Sequence, residues 1–303
     1  MKKLVIFGVG LIGGSVALAL KKAGSDTHIV GVGRSTESLD KALKLGVIDE
    51  KVDAQDFPNE TQANIHAAPS LSKSISDADL VLIAAPVAQT GAILHSIKPH
   101  LGKDTVITDA GSTKGDVLAA AQNILGAQFS QFVGAHPIAG AEKSGVSAAK
   151  ADLFIGKNVV LTPTPETNIH GVRRATELWQ ACGAKVSEMT AETHDSIFAA
   201  VSHLPHLLAF ALVDDIAKRP NAAQLFSFAA SGFRDFTRIA GSSPEMWRDI
   251  SLANKTALLS EINAFEAELS QLKQLLANEN GVGLRALFEH ASKARNDWAE
   301  AKK

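Results

Sequence analysis

The sequence predicts a doubly wound α/β domain with a mostly parallel sheet, followed by an all-α domain. In residues 1–190, short apolar runs alternate with helical stretches, which is typical of a sheet covered by helices on both faces. From Ala191 onward, long helical patterns follow one another without a convincing strand. We therefore place the α/β domain at residues 1–190 and the helical domain at residues 191–303.

The α/β half contains short apolar runs separated by amphipathic stretches. Several of these runs are apolar at nearly every position, as expected for buried parallel strands. The predicted strands are Leu4–Phe7, His28–Val32, Leu80–Ala84, Thr105–Thr108, Gln131–Gly134, Asn158–Leu161 and Lys185–Met189. The predicted helices are Gly14–Ala23, Ser38–Leu45, Lys114–Leu125 and Gly171–Cys182.

The helical half has more apolar surface than a small domain normally buries by itself. Its main helical patterns are Ile197–Val213, Leu252–Leu276 and Leu284–Trp298. Apolar faces of this size favour burial against a second subunit. We therefore expect a homodimer built on the helical half.

Composition excludes several classes of function. The formal net charge is −2, which gives no general attraction for nucleic acid or anionic membranes. A single cysteine, Cys182, excludes an internal disulfide and a multi-cysteine metal site, and it favours a reducing compartment. The apolar run Leu4–Phe7 ends at Gly8, too early for a secretory signal, and no run approaches the ~20 apolar residues of a membrane span. We expect a soluble cytoplasmic protein with no bound metal.

The first strand is followed by the G-x-G-x-x-G motif of Gly8, Gly10, Leu11, Ile12 and Gly13. The first glycine permits a tight turn, the second admits a pyrophosphate, and the third allows the strand and helix to pack closely. The amides at the helix N-terminus then face the phosphates. A purely structural turn is the alternative, but the strand–turn–helix context favours a Rossmann dinucleotide site.

The second strand ends without the carboxylate that binds the adenosine ribose in NAD enzymes. Gly33 occupies that position and is followed by Arg34 and Ser35. A missing carboxylate removes repulsion toward a 2′-phosphate, while the guanidinium and the hydroxyl can donate to it. We expect NADP to be favoured and NAD to be possible; the alternative is that Arg34 is a solvated surface residue.

Three loops follow strands and should meet in one crevice. The loop after Leu80–Ala84 contains Pro86, which we expect to border the cofactor. The next loop contains Ser112 and the third His136. A neutral histidine is the natural acceptor for the proton released when an alcohol is oxidised, and Ser112 could hold that ring or the same hydroxyl. A structural histidine is the alternative.

Helical spacing places Asp195, Ser202 and His206 on one stripe, with Pro205 bending the helix nearby. His203 points away from this stripe. Such a stripe predicts a pocket, although polar residues satisfied in a domain interface would give the same pattern.

Arginines and a tryptophan follow in the helical half. Arg234 and Arg238 lie four residues apart, and Trp247 comes shortly after them. A guanidinium fork suits a substrate carboxylate, although one of the two arginines is expected to pair with a nearby acidic group.

Together these residues resemble the prephenate/arogenate (cyclohexadienyl) dehydrogenase family of tyrosine biosynthesis. The resemblance covers nearly the whole chain in order. The most specific part is His-Pro-Ile-Ala-Gly from His136, followed by Glu142–Gly145. The matching segments are Gly8–Ser15, Asp109–Lys114, Gly134–Gly145, Ser202–His206, Gly232–Ile239 and Met246–Ile250.

The resemblance implies a Rossmann domain followed by a helical dimerisation domain, and an oxidative decarboxylation of a cyclohexadienyl substrate. His136 would take the proton of the ring hydroxyl, and Ser112 would orient it. Arg238 would bind a substrate carboxylate and form an ionic network with acidic residues. The other residues implied at the pocket or in that network are His206, Ser202, Trp247, Glu142 and Asp195.

Two departures bear on substrate choice. Ala141 stands where some relatives carry threonine, and Ser231 where some carry glycine. The choice between prephenate and arogenate therefore stays open, and a cyclohexadienyl dehydrogenase that accepts both is the weak preference. The rival interpretations are a β-hydroxyacid or imine-reductase type dehydrogenase and a cofactor-sensing binding module without chemistry.

Overall fold

The computed structural model describes residues 1–54, 69–141 and 143–301. Its contacts divide the chain into two compact units, Met1–Lys255 and Thr256–Lys303. The first unit contains the sheet and every candidate site residue that the structure describes. The predicted domain boundary near residue 190 stays a prediction.

Within the described residues, eight strands form one sheet in the order β3-β2-β1-β4-β5-β6-β7-β8. All neighbouring strands pair in parallel except β6 and β7, which are antiparallel. The predicted fold class, a mostly parallel doubly wound sheet followed by helices, is confirmed. The strands are β1 (Lys3–Phe7), β2 (His28–Gly33), β3 (Glu50–Asp53), β4 (Leu80–Ile83), β5 (Val106–Asp109), β6 (Phe132–Pro137), β7 (Asn158–Thr162) and β8 (Lys185–Glu188).

Helices cover both faces of the sheet because alternate strand residues point to opposite sides. Leu4 and Ile6 of β1 belong to one buried apolar cluster, and Val5 and Phe7 belong to another. Both clusters are apolar, which explains why the central strands lack polar alternation. The helices of this half are α1 (Leu11–Lys22), α2 (Thr36–Lys44), α3 (Pro69–Ser76), α4 (Thr90–Ile97), α5 (Gly115–Leu125) and α6 (Ile169–Ala181).

Two features of the sheet differ from the sequence prediction. The strand β3 was missed because its sequence, Glu-Lys-Val-Asp, is mostly polar, as suits an edge strand. His136 and Pro137 were assigned to a loop, but they are the last residues of β6. Pairing with β7 extends this strand, since His136 lies opposite Val160.

The helical half begins with a long helix that contains one wider turn. The helix α7 (Ala191–Phe198) passes through a π-helical turn at Ala199–His203 into α8 (Leu204–Ala217). Pro205 is the second residue of α8 and lacks the amide hydrogen that a regular α-helix would use. The remaining helices are α9 (Ala222–Ser227), α10 (Ser231–Thr237), α11 (Pro244–Ala253), α12 (Lys255–Ala277) and α13 (Gly281–Glu300).

The stretch Ala191–Ala217 is long and apolar enough to cross a membrane by length and composition, because it contains an 18-residue window with a mean hydropathy of 1.7. The sequence expectation concerned a run of ~20 apolar residues, and this stretch is interrupted by polar residues such as Asp195, His203 and Asp214. The test is passed because the π-helical turn joins two shorter apolar helices into one. Core helices of soluble proteins pass it as well, and the His194 and Asp195 side chains of this stretch contact β6 and the start of α5.

Candidate functional site

The glycine-rich turn brings the backbone close to its neighbours at two glycines and leaves open space at the third. Gly8 has a φ of +89°, and a Cβ there would lie 2.6 Å from the Ala84 carbonyl oxygen. A Cβ on Gly13 would overlap the Gly8 carbonyl oxygen and lie 2.8 Å from Cγ2 of Ile6. Gly10 has no heavy atom within 4 Å of its Cβ position. The turn therefore packs closely against the protein at Gly8 and Gly13 and leaves open space at Gly10, as the binding of a pyrophosphate requires.

A cavity of about 380 Å³ opens over this turn at the carboxyl edge of the sheet. Five of the predicted cofactor residues line it, while Leu11, Ile12 and Gly13 form the adjoining first turn of α1. The carboxyl ends of β1, β2 and β4 are the position that a dinucleotide takes in this fold. The lining residues are Phe7, Gly8, Gly10, Val32, Gly33, Arg34, Ser35, Ala84, Ala85, Pro86, Gln89, Ala92 and Ile93.

Ser35 has a structural role in addition to its place in the cavity. Its hydroxyl accepts a hydrogen bond from the Ser38 amide at 3.2 Å and so caps the N-terminus of α2. The hydroxyl hydrogen remains available as a donor toward the cavity. Together with Arg34, it gives this end of the cavity the chemistry of an anion site.

A buried ion pair connects the ends of β5 and β6 to the start of α5. Lys114 and Asp109 are both buried, and the Lys114 ammonium donates to the Asp109 carboxylate. The same ammonium donates to the Ala135 carbonyl at 2.8 Å, and the Asp109 carboxylate accepts from the Ala135 amide at 2.8 Å. The pair therefore holds both backbone polar groups of the residue that precedes His136.

His136 lies at the carboxyl end of β6, partly buried, with its ring against other aromatic rings. Its Nδ1 is 2.8 Å from Nε2 of His194, and its ring centroid is 4.8 Å from that of Phe198. Burial lowers the pKa of His136 well below its ordinary value of 6.5, and the positive charges of His194 when protonated and of Lys114 lower it further. His136 is therefore neutral at neutral pH, as a general base must be.

Asp195 holds His194 and the first amides of α5 at the same time. Its carboxylate lies 2.7 Å from Nδ1 of His194 and accepts from the amides of Lys114 at 2.9 Å and Gly115 at 2.8 Å. Burial opposes ionisation, but these hydrogen bonds outweigh it and hold the pKa of Asp195 below its ordinary value of 3.8. Asp195 thus stays an anion at the N-terminus of α5, where the helix dipole favours a negative charge.

The π-helical turn directs His203 into the interior. His203 is 1% exposed, and its Nδ1 is 3.2 Å from Nδ2 of Asn254, which also donates to the Asp195 carbonyl at 2.8 Å. The ideal α-helical spacing placed His203 off the pocket stripe, but the wider turn rotates the residues that follow it. Burial lowers the pKa of His203 to about 4.

His206 stacks on Trp247, with ring centroids 3.7 Å apart and planes at 20°. Its Nδ1 lies 2.9 Å from the Ser202 carbonyl, which orients the ring. Burial lowers the pKa of His206, and the charge of Arg238 lowers it further, so Arg238 lies near this ring. Arg238 itself is exposed at the end of α10.

These contacts form a continuous series in the first compact unit that joins four of the predicted catalytic and substrate-binding residues and ends near a fifth. The series runs through His136, His194, Asp195, Asn254, His203, Trp247 and His206 to the neighbourhood of Arg238.

Two predicted residues, Ser112 and Glu142, are not part of this series. Ser112 lies in the loop between β5 and α5, but the Nδ1 partner of His136 is His194 rather than Ser112. The orienting role of Ser112 therefore stays a prediction. Glu142 lies outside the described residues.

Sequence reasoning did not find four residues of this arrangement: Lys114, Asp109, His194 and Asn254. Asp109 and Lys114 are the first and last residues of one of the segments that resemble the family, and His194 is the neighbour of Asp195. Their roles come from contacts across 21 to 81 residues of sequence, which no local pattern reports.

Comparisons with known proteins identify the family of this chain. Residues 16–188 match the model of the prephenate dehydrogenase nucleotide-binding domain, and residues 190–290 match that of the prephenate dehydrogenase dimerization domain. A prephenate dehydrogenase from Bacillus subtilis is 38% identical over 97% of this chain and 75% of its own length. A cyclohexadienyl dehydrogenase from Zymomonas mobilis is 33% identical over 97% and 95%, respectively.

A solved structure is similar throughout. Prephenate dehydrogenase from A. aeolicus in complex with hydroxyphenyl propionate and NAD+ superposes with a TM-score of 0.87, at 38% identity, over 98% of each chain. The resemblance inferred from the sequence motifs is confirmed. This chain belongs to the prephenate dehydrogenase family.

Proposed function

We propose that this chain oxidatively decarboxylates prephenate, arogenate or both, with hydride transfer to a nicotinamide cofactor, in tyrosine biosynthesis. The observation that carries this proposal is the neutral, partly buried His136 at the carboxyl edge of the sheet, on which the glycine-rich turn also lies. The activities named for similar proteins support it. A β-hydroxyacid or imine-reductase type enzyme is not favoured, because the prephenate dehydrogenase models match both halves of the chain.

The residues present fit a dinucleotide. The open space above Gly10, the α1 N-terminus and the cavity lined by Gly8, Arg34, Ser35 and Pro86 would hold the pyrophosphate and the adenosine end. When bound, the nicotinamide supplies the hydride acceptor for the ring carbon that bears the substrate hydroxyl.

His136 would accept the hydroxyl proton as the hydride departs, since its imidazole is neutral. Ser112 would donate to or accept from the same hydroxyl and orient it. The ring carboxylate then leaves as carbon dioxide, and its bonding electrons enter the ring, which becomes aromatic with its oxygen as a phenolate. The protonated His136 would return the proton to that oxygen, which gives the phenol and restores the neutral imidazole.

Arg238 would bind a substrate carboxylate at the far end of the contact series, next to His206 and Trp247. Burial and, to a smaller extent, the positive charge of Arg238 lower the pKa of His206, so His206 would act as a neutral hydrogen-bonding group. Ser202 orients the His206 ring through its carbonyl. A network of Arg238 with Glu142 and Asp195 remains part of the proposal.

The direct test mixes the purified chain with prephenate or arogenate and with NAD+ or NADP+, and follows the absorbance of the reduced nicotinamide. We expect turnover with at least one pair. In the active pair, His136→Asn should lower kcat by about 10²–10⁴ with little change in KM. The exposed His170 provides the matched control, since His170→Asn should leave kcat unchanged. Silence with all four pairs would refute the proposed activity.

The finer preference that we propose is for NADP. Gly33 leaves the ribose position without a carboxylate, and Arg34 and Ser35 line that end of the cavity. The similar structure from A. aeolicus holds NAD+, so use of NAD is part of the proposal. A higher kcat/KM with NADP+ than with NAD+, reduced selectively by Arg34→Ala, is the expected result. A higher value with NAD+ would contradict the preference.

We also propose a soluble, cytoplasmic homodimer. The matched family model is a dimerization domain, and large apolar side chains of the helical half are exposed. Sedimentation at micromolar concentration should show a dimer, and a monomer there would contradict this assembly. The most exposed of these side chains are Val201, Phe228, Leu252, Leu276, Val282, Phe288 and Trp298.

A further inference from the structure

Three side chains form a hydrogen-bonded row that ends at His136. Nδ1 of His136 is 2.8 Å from Nε2 of His194, and Nδ1 of His194 is 2.7 Å from the Asp195 carboxylate. His194 is completely buried, and the Asp195 side chain is 13% exposed. Water therefore has no access to His194 in the middle of the row and little access to Asp195.

The donors and acceptors of this row can be assigned from its fixed end. Asp195 accepts from the amides of Lys114 and Gly115, so its carboxylate is an anion that only accepts. Nδ1 of His194 must therefore carry a hydrogen, and Nε2 of neutral His194 must be an acceptor. Nδ1 of His136 then donates to it, which leaves the lone pair of the His136 ring on Nε2.

Resting on the proposed function, we propose that His194 and Asp195 are positioning residues that fix the His136 tautomer with Nε2 free to accept the substrate proton. Without an acceptor at Nδ1, a neutral imidazole distributes its hydrogen between both nitrogens, and the Nε2–H form cannot act as a base. Neither residue needs to touch the substrate for this role.

The row also accommodates the charge that forms during the reaction. His136 is disfavoured as a cation by burial and by the positive charge of Lys114, and also by His194 and His203 whenever they are protonated. When His136 takes a proton on Nε2, its Nδ1 hydrogen faces the acceptor nitrogen of His194, whose other side faces the Asp195 anion. The only negative group in the row is therefore aligned with the developing positive charge.

The local sequence explains how the adjacent residues His194 and Asp195 contact two different elements, β6 and the start of α5. The Thr190 hydroxyl caps α7 by accepting from the Thr193 amide, which starts the helix one turn before the pair. Successive helical residues differ by about 100° in direction, so His194 faces β6 while Asp195 faces the start of α5. Phe198, one turn on, packs at 4.5 Å from the His194 ring and covers the row.

The test combines kinetics with nitrogen NMR of the full chain labelled at histidine, because the two ring tautomers have distinct nitrogen shifts. The His136 signals are assigned by their loss in His136→Asn. We expect wild-type His136 to carry its hydrogen on Nδ1. Asp195→Leu should spread this hydrogen over Nδ1 and Nε2, because Nδ1 of His194 then lacks the carboxylate that fixes the His194 tautomer.

The kinetic result separates positioning from simple packing. His194→Leu removes the acceptor and should lower kcat by about 10²-fold or more, with KM little changed. His194→Gln places an amide oxygen within reach of Nδ1 and should recover part of that loss. The matched control is His28→Gln, which removes an exposed histidine paired with Glu50 and should change neither kcat nor the His136 tautomer.

Wild-type His136 with its hydrogen on Nε2 would overturn the inference, as would variants that keep the tautomer and kcat of the wild type. If His194→Leu does not fold, the tautomer of wild-type His136 and the kcat of His194→Gln still test the inference. An inactive wild-type protein that shows the inferred tautomer would overturn the proposed function while supporting the tautomer assignment.

Discussion

Replacing Lys114 by methionine would remove the cation of the buried ion pair at the start of α5. Lys114 and Asp109 have side chains that are 0% and 2% exposed. The change leaves the Asp109 carboxylate with only the amides of Ala135 and Gly111, and it leaves the Ala135 carbonyl without its ammonium donor. Methionine has nearly the length of lysine, so the perturbation is mainly electrostatic.

The magnitude follows from the burial of both groups. Removing one partner of a buried ion pair costs about 3–5 kcal/mol, because the remaining charge is uncompensated. That loss is a large part of the ~5–15 kcal/mol by which proteins are stable. The matched control is Lys218→Met, which breaks an exposed pair with Asp214 on α8 and should cost less than about 0.5 kcal/mol.

The assay is urea unfolding followed by tryptophan fluorescence, with the free energy of unfolding compared at equal protein concentration. A loss below about 1 kcal/mol for Lys114→Met would refute the reasoning that a buried charge is held there. Adding Asp109→Asn should recover part of the stability, since it removes the uncompensated carboxylate. The single variant should also lower kcat, because the peptide before His136 loses a support.

Three further results are expected. Gly10→Ala should raise the KM of the cofactor and leave the thermal midpoint of unfolding unchanged, because its Cβ would enter the open cofactor space. Gly13→Ala should lower the thermal midpoint, because its Cβ would overlap the Gly8 carbonyl oxygen. Equal changes in the thermal midpoint of the two variants would contradict this expectation. Arg238→Gln should raise the substrate KM more than it lowers kcat, since a ground-state carboxylate contact is lost; the opposite split in steady-state kinetics would reassign Arg238. Burial holds the pKa of His203 at about 4, below its ordinary value of 6.5. As the pH falls, His203 therefore takes up a proton in the unfolded chain before it does so in the folded chain, and the free energy of unfolding decreases between pH 6.5 and pH 4. From about pH 7 to pH 5, urea unfolding should show wild type losing about 2 kcal/mol more than His203→Gln, and equal losses would exclude this origin.

Local sequence patterns predicted most of the fold. The apolar strands and the strand–turn–helix context of Gly8–Gly13 depend on residues close in sequence, so they are readable from one chain. The polar edge strand β3 lacked such a signal. The stripe of Asp195, Ser202 and His206 was drawn for an ideal α-helix, and the π-helical turn at Ala199–His203 changed which side chains face inward.

The sequence by itself determined the fold class, the family and the residue types available for chemistry, because each is encoded in short motifs and their order. Only the tertiary structure decided which groups touch His136. His194 lies 58 residues away in sequence, and Lys114 reaches the preceding peptide from another strand end. Hydrogen bonds and charges act over a few ångströms in space, and that distance is set by how the sheet and helices pack.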